Sequence, residues 1–194
     1  MTDRDTLVRR AVPTDASAIA ELHVRAWQSA YRGQLPQHHL DTLDVEARRQ
    51  RWLRHLSEPQ ERWGRVLVVE LPGGALAGFV SVGASRDDDA AADCGEIAAL
   101  YVEPSLVGRG HGRALTSAAL VMLWRNGFRQ ATVWALSTNT QGRRFYEKSG
   151  WTDTGVEKDD EVAGLSIRDV RYHRTLDPAE PDAAEPDSTD APPT

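Results

Sequence analysis

The 194-residue chain is short of several residue types, and each scarcity narrows its chemistry. Cysteine occurs once, at Cys94, so no intramolecular disulfide can form; neither a CxxC pair nor a Cys/His pairing of metal-ligand spacing is present. A disulfide scaffold is excluded, structural zinc is disfavoured, and no metal is expected. Nowhere does the chain approach the roughly 18 uninterrupted apolar residues of a membrane span. Its opening, MTDRDTLVRRAV, has no apolar core and no small-residue cleavage site, so a cytoplasmic protein without a membrane partner is expected. Excess positive charge is missing too. The formal net charge is -6, and residues 177–194 account for it with six carboxylates and no Lys or Arg, which leaves residues 1–176 formally neutral. A body without surplus Lys and Arg argues against nucleic acid as the main ligand, because that ligand demands clustered cations.

Those last residues, DPAEPDAAEPDSTDAPPT, hold five of the ten prolines and no aromatic or branched aliphatic residue. Such a segment buries too little apolar surface to offset the entropy of ordering it. Residues 177–194 are therefore expected to form a disordered acidic tail dispensable for catalysis, and residues 7–176 a single folded domain.

Within that domain, patterning predicts an α/β order of β, α, α, β, β, β, α, β, α, β, β. A short strand over Leu7–Ala11 precedes a Pro13-Thr14-Asp15 helix cap, and Ile19, Leu22, Ala26 and Ala30 mark the buried face of a helix ending at Gly33. Asp44 to Leu56 reads as a second helix, with Leu53 and Leu56 inward and Arg48, Arg49, Arg51 and Arg54 on a basic outer face. Val66–Leu71 and Leu76–Val82 form a hairpin around Pro72-Gly73-Gly74, followed by an exposed Asp87-Asp88-Asp89 loop. Glu96–Val102 is a strand, 103–112 a glycine-bearing loop, and Arg113–Asn126 a helix with Leu115, Ala119, Met122 and Leu123 on one face. Ala131–Leu136 is a strand and Thr140–Ser149 a helix, while two last strands, Trp151–Glu157 and Ser166–Leu176, flank an acidic loop.

The loop Gly108-Arg109-Gly110-His111-Gly112-Arg113 leaves a strand and opens a helix. Backbone N–H groups and the positive end of the helix dipole converge there, and glycine lets the backbone approach a bulky anion, so phosphate or pyrophosphate is the natural guest. The same glycines also serve a plain tight turn. A P-loop requires GxxxxGK followed by Ser or Thr, and that lysine is absent. A dinucleotide fingerprint requires GxGxxG and an acidic residue closing the next strand, which here runs into Ala135-Leu136-Ser137-Thr138-Asn139.

A third cradle fits better. EIAALYVEPSLVGRGHGRAL, residues 96–115, resembles the acyl-CoA motif of the GNAT superfamily of N-acetyltransferases: a strand, a proline turn, then (Q/R)xxGxG or (Q/R)xxGxA and a helix. NTQGRRFYEKSGW, residues 139–151, resembles that family's second signature. Where the family usually carries Gln or Arg, three positions before Gly110, this chain has Val107, one polar contact fewer. The resemblance implies a mixed, mostly antiparallel sheet with a splayed strand pair and flanking helices. It also implies acetyl-CoA as acyl donor, with no metal.

Carried over by position, the backbone of Leu100, Tyr101 and Val102 runs beside the pantetheine arm. The amides of Gly108, Arg109, Gly110, His111, Gly112 and Arg113 hold the pyrophosphate, with charge from Arg109 or Arg113. Asn139 bonds the arm near the splay, and Tyr146 sits close to the sulfur as general acid. A backbone N–H at Val102 is implied as a contact for the oxyanion.

Direct transfer needs proximity, a neutral amine and a proton for the thiolate, but no nucleophile, so Cys94 is expected to be inert. Tyr146 also reads as a core aromatic beside Phe145. Glu96 reads either as the base or as a solvated carboxylate at a strand end. Asp159, Asp160 and Glu161 read as solvated, or as an attraction for a cationic amine. Trp27 and Tyr31, in WQSAYRG, line an acceptor pocket or belong to the core. His23 and His111 are expected to titrate near neutrality; His23 reads as structural or exposed, and His111 as facing phosphate. The expected activity is acetyl transfer to a primary amine, chiefly of a small molecule, with a protein N-terminus or lysine as a lesser choice. A non-catalytic acyl-CoA-binding sensor is the alternative, and a homodimer is admitted.

Overall fold

A computed structural model describes residues 7–58, 64–162 and 164–177. The tail expected over 177–194 lies outside the described residues except for Asp177. In chain order the elements are β1 (Leu7–Arg10), α1 (Ala16–Ala30), α2 (Gln37–Asp41), α3 (Val45–Ser57), β2 (Gly64–Glu70), β3 (Leu76–Ala84), β4 (Cys94–Val102), α4 (His111–Arg125), β5 (Gln130–Leu136), α5 (Thr140–Lys148), β6 (Thr152–Val162) and β7 (Leu165–Thr175). Short 3-10 turns at Pro13–Asp15 and Pro104–Leu106 precede α1 and the glycine loop.

The strands make one seven-stranded sheet in the order β1-β2-β3-β4-β5-β7-β6. All neighbours are antiparallel except β4 and β5, which run parallel with α4 as the crossover. This is the mixed, mostly antiparallel sheet that the motifs implied.

Two apolar clusters sandwich the sheet. On one face Leu115, Ala119, Leu120 and Leu123 of α4 pack on Leu67, Val80, Val82 and Val133, joined by Tyr146 and Tyr172. On the other, Ile19, Leu22 and Ala26 of α1 and Trp52 of α3 pack on Val66, Val68 and Phe79. Each fully buried side chain of this size contributes about 1.5–3 kcal/mol, which makes these two stripes the main source of order. The second stripe covers only the β2–β4 half, so the same face of β5–β7 is not roofed by it.

Several elements differ from the patterning. The α2 helix is only five residues long and follows Pro36, too short for periodicity to register. Trp52, rather than Leu53 or Leu56, is the buried anchor of α3. Arg48 leaves the basic outer face: its guanidinium lies 4.9 Å from the Trp27 ring centre and contacts His23. Asp15 ties β1 to the first helix by accepting from Arg9 and from the Val12 N–H (2.8 Å). Asp87 is half-buried, accepting from Trp134 Nε1 at 2.9 Å. The acidic run Asp159-Asp160-Glu161 lies within β6, not in a loop. Helix α4 begins at His111, two residues before the expected Arg113.

Candidate active site

The site begins with a break in strand pairing. β4 and β5 pair only from Cys94↔Gln130 to Ile97↔Val133, yet β4 continues to Val102 and β5 to Leu136. Its cause lies on the other edge of β4, where Ser81 opposes Ala99 and Val82 opposes Ile97. Ala98 is the extra residue of a β-bulge, and such bulges bend and twist the strand that carries them. Beyond Ile97 the β5-facing backbone edge of β4 therefore has no strand partner. The opening is a cleft of about 1830 Å³ that runs through the sheet from one face to the other.

Along the donor side, the chain passes from β4 through Pro104–Leu106 to Gly108 (φ +85°) and Gly110 (φ +95°). Both angles lie in the left-handed region, which strains any residue with a Cβ. That turn aims the first N–H groups of α4 at the cleft. Arg109 and Arg113 flank them, exposed and without an ion pair among the described residues. His111 is buried, and its Nδ1 has no hydrogen-bond partner among the described residues. Unpaired cations at a helix start make an anion site, the charge balance expected for pyrophosphate. Val107 is exposed and adds no polar group there.

At the floor of the splay sits α5. Asn139 caps it, its side-chain oxygen accepting from the Gly142 N–H at 2.9 Å; its amide nitrogen makes no bond within the described residues. Tyr146 is 8% exposed, edge-on to Phe145 and Trp151 and tilted against Tyr172. It is thus both a core aromatic and a cleft residue. Burial pushes the phenol well above its ordinary range, so Oη keeps its proton at neutral pH.

The acceptor side is assembled from side chains. Trp27 and Tyr31 stand edge to face, 4.9 Å between ring centres, on the last turn of α1. The Trp27 indole N–H donates to Tyr101 Oη at 2.9 Å. Burial, with Tyr101 beside it, also raises the Tyr31 phenol. Beneath them His23 is enclosed by Trp27, Trp52, Phe79 and Tyr101. Burial, then the nearby Arg48 and Arg51, pushes His23 down to about 3, so it is neutral and structural.

Glu96 is 3% exposed rather than solvated. Arg86 encloses its carboxylate, donating from its backbone N–H (3.1 Å), Nε (3.0 Å) and Nη2 (2.5 Å). Cys94 is buried, and burial pushes its thiol up, away from the reactive thiolate.

Every residue singled out from the sequence for donor contacts, for catalysis or for the aromatic acceptor wall lines this one cleft, including Leu100, Val102 and Gly112. Of the acidic trio only Asp160 does so. Sequence reasoning missed Arg86, Trp134, Lys158 and Asp169, which also line it. Asp169 and Trp134 were findable in principle: strand alternation puts Asp169 on one face of β7 with Ile167 and Arg171, and the register sets Trp134 opposite Arg171. Among the described residues no group of three or more His, Cys, Asp or Glu is placed to hold a metal ion, and no helix is long and apolar enough to cross a membrane.

Known proteins resemble this chain in sequence and in fold. The uncharacterised N-acetyltransferase YuaI of Bacillus subtilis is 28% identical over 164 residues, 84% of this chain and 89% of that protein. A mycothiol acetyltransferase of Beutenbergia cavernae is 43% identical, but over only 62 residues, 32% of this chain and 21% of its own. Among solved structures, YncA of Salmonella typhimurium, a putative acetyltransferase with acetyl-CoA, superposes with a TM-score of 0.65 at 24% identity, covering 95% of this chain and 99% of its own. The PaiA N-acetyltransferase of Thermoplasma acidophilum in complex with coenzyme A gives 0.66 at 17% identity, covering 88% and 98%. Residues 17–151 match the family model described as Acetyltransferase (GNAT) family, and with the splayed β4–β5 pair and the glycine-led α4 already in view, the chain belongs to that family of acetyltransferases.

Proposed function

We propose that this protein transfers an acetyl group from acetyl-CoA to the primary amine of a small molecule, with both substrates bound together in the cleft. One observation carries the reading: an unpaired strand edge, an anion-binding helix start and a protonated buried phenol open onto the same cleft, which continues to an aromatic and acidic wall.

The donor fits the residues present. Its pyrophosphate suits the N–H groups of α4 with Arg109 and Arg113, where His111 offers a buried nitrogen that lacks a partner. Amide groups of a pantetheine arm suit the open edge of 98–102, as a guest strand would, and the Asn139 amide. Acetyl-CoA supplies an activated thioester. The chain's own part is to hold the two reactants together, worth several powers of ten in rate, and to hold a proton at Tyr146 Oη for the leaving thiolate. Support for the donor comes also from the two solved relatives that carry coenzyme A or acetyl-CoA.

The test is thiol release from acetyl-CoA across a panel of polyamines, aminoglycosides, amino acids and peptides, alongside calorimetric binding of acetyl-CoA. Amine-dependent thiol supports the enzyme. Binding without thiol from any acceptor would leave a sensor instead.

A further inference from the structure

On the acceptor wall three carboxylates, Glu96, Asp160 and Asp169, meet two cations, Arg86 and Lys158, leaving one negative charge in excess. Neither cation lies idle. Arg86 is bound to Glu96, and the Lys158 Nζ sits 4.1 Å from the centre of the Trp134 ring. Asp169 stands apart: half-buried on β7, it has no side-chain hydrogen bond and no salt bridge among the described residues. A carboxylate half withdrawn from water, with Lys158 opposite it on β6 but in no salt bridge with it, is costly, and the cost falls when a closer cation arrives.

Its position is equally pointed. Asp169 lies opposite Leu136, at the end of β5, where that strand has already parted from β4. It lines the same cleft as Tyr31, the residue that closes α1, and Tyr101 of β4, and its charge helps to raise both phenols. Tyr31, Tyr146 and Asp169 all line this one cleft.

We propose that Asp169 binds the acceptor's ammonium and takes its proton, and that the acceptor is a small primary amine with an apolar or aromatic body and no carboxylate beside the nitrogen. This rests on the amine-acetylation reading above. Glu96, held by Arg86, then shapes the wall and leaves the proton transfer to Asp169. In the reaction the ammonium gives one proton to Asp169, which passes it to solvent. The neutral nitrogen forms the C–N bond as the C–S bond breaks, and the Tyr146 proton goes to sulfur. The second nitrogen proton is lost to solvent, from which Tyr146 is reprotonated, so the sum is one amide, one thiol and one released proton.

Groups facing Asp169 set its titration. Burial and Asp160 of β6 raise it, while Lys158 of β6 lowers it; the balance is upward, toward a better base. Trp134 and Leu136 of β5 carry no charge, and Arg171, further along β7, is held by Asp87 and Asp89.

The experiment is thiol release by the full chain with 2-phenylethylamine and with phenylalanine, which adds only a carboxylate. The wild type is expected to favour 2-phenylethylamine by at least about 10-fold in kcat/KM, from charge repulsion at the acidic wall. Asp169→Asn is expected to lower kcat/KM for it by about 100-fold or more and to remove the acidic limb of its pH profile, with calorimetric acetyl-CoA affinity unchanged. Asp169→Glu recovers part of the activity. Turnover of 2-phenylethylamine that survives Asp169→Asn overturns the role of Asp169 and leaves amine acetylation standing. Equal use of phenylalanine, or turnover of other amines but not 2-phenylethylamine, overturns the acceptor class. Acetyl-CoA binding without thiol release from any primary amine overturns the amine reading and this inference together.

Discussion

One side of the cleft is bounded by two neighbouring runs of one chain segment, Leu100 to Val102 and Leu106 to Arg113, whereas its other side draws Trp27, Glu96, Trp134, Lys158 and Asp169 from α1, β4, β5, β6 and β7. On the function proposed, the donor side recognises through N–H and C=O groups that every residue carries, so its demands on sequence are conformational: a bulge at Ala98 and left-handed glycines at 108 and 110. The acceptor side recognises through charge and rings, and its residues come together only once the sheet is paired. A substitution that bends the first should abolish donor binding, while one that recolours the second should change which amine is used. The two sides should therefore fail independently.

The largest effect is expected from Gly110→Asp. Gly110 sits at φ +95°, and a carboxylate there adds strain and negative charge at the helix start, so acetyl-CoA affinity should fall by about 100-fold or more in calorimetry. Retained affinity would show that the backbone cradle is not the donor site. Tyr146→Phe comes next: kcat should drop by about 100-fold while acetyl-CoA affinity stays within about 2-fold, because only the proton donor is removed. An unchanged kcat would return Tyr146 to a purely packing role beside Trp151 and Tyr172.

Smaller changes are expected under the acceptor wall. Trp27→Phe deletes the N–H donated to Tyr101 Oη, worth about 0.5–1.5 kcal/mol, and should raise the acceptor KM by about 3- to 10-fold with donor affinity untouched. Loss of donor affinity instead would mean that the two sides are coupled through Tyr101. His23 supplies the last test. Its pKa is about 3 when folded against 6.5 as the ordinary value, so between these limits the unfolded chain binds the extra proton. Stability is then full above pH 6.5 and declines as pH falls below it, by up to about 1.4 kcal/mol per unit, or a few degrees in Tm. In His23→Gln that part of the acid sensitivity should vanish. A Tm slope below pH 6.5 that matches the wild type would show that His23 is not the group responsible.

How much could be read beforehand follows the same division. Gly108, Gly110, Asn139 and Tyr146 stand in local runs whose spacing already encodes a strand, a turn and a helix, so the elements that frame the proposed donor side were legible. The order of strands and helices was legible too, because Ile19, Leu22 and Ala26, or Leu115, Ala119 and Leu123, carry their periodicity in a single segment. Asp169 was legible only as a position on one face of a strand, because what distinguishes it, a half-buried carboxylate with no salt bridge or side-chain hydrogen bond among the described residues, depends on how β7 pairs with β5 and β6. Arg48 was assigned to solvent because a basic helix face usually is, but the rings of His23 and Trp27 provide a half-buried place for its guanidinium. Asp159-Asp160-Glu161 resembled a loop because β6 is exposed along nearly its whole length, so no apolar alternation marks it. Glu96 was anticipated in place but not in company: Arg86, ten residues earlier, reaches it only through the β3–β4 hairpin.

In the function proposed, a single cleft joins a donor cradle to a proton-donating Tyr146 and an amine-accepting wall. The most direct test is the rate of thiol release from acetyl-CoA in wild type and Tyr146→Phe, with and without 2-phenylethylamine, at matched donor occupancy. The account predicts amine-dependent release that falls by about 100-fold in the variant. Release that is indifferent to the amine, or equal in both proteins, would contradict it.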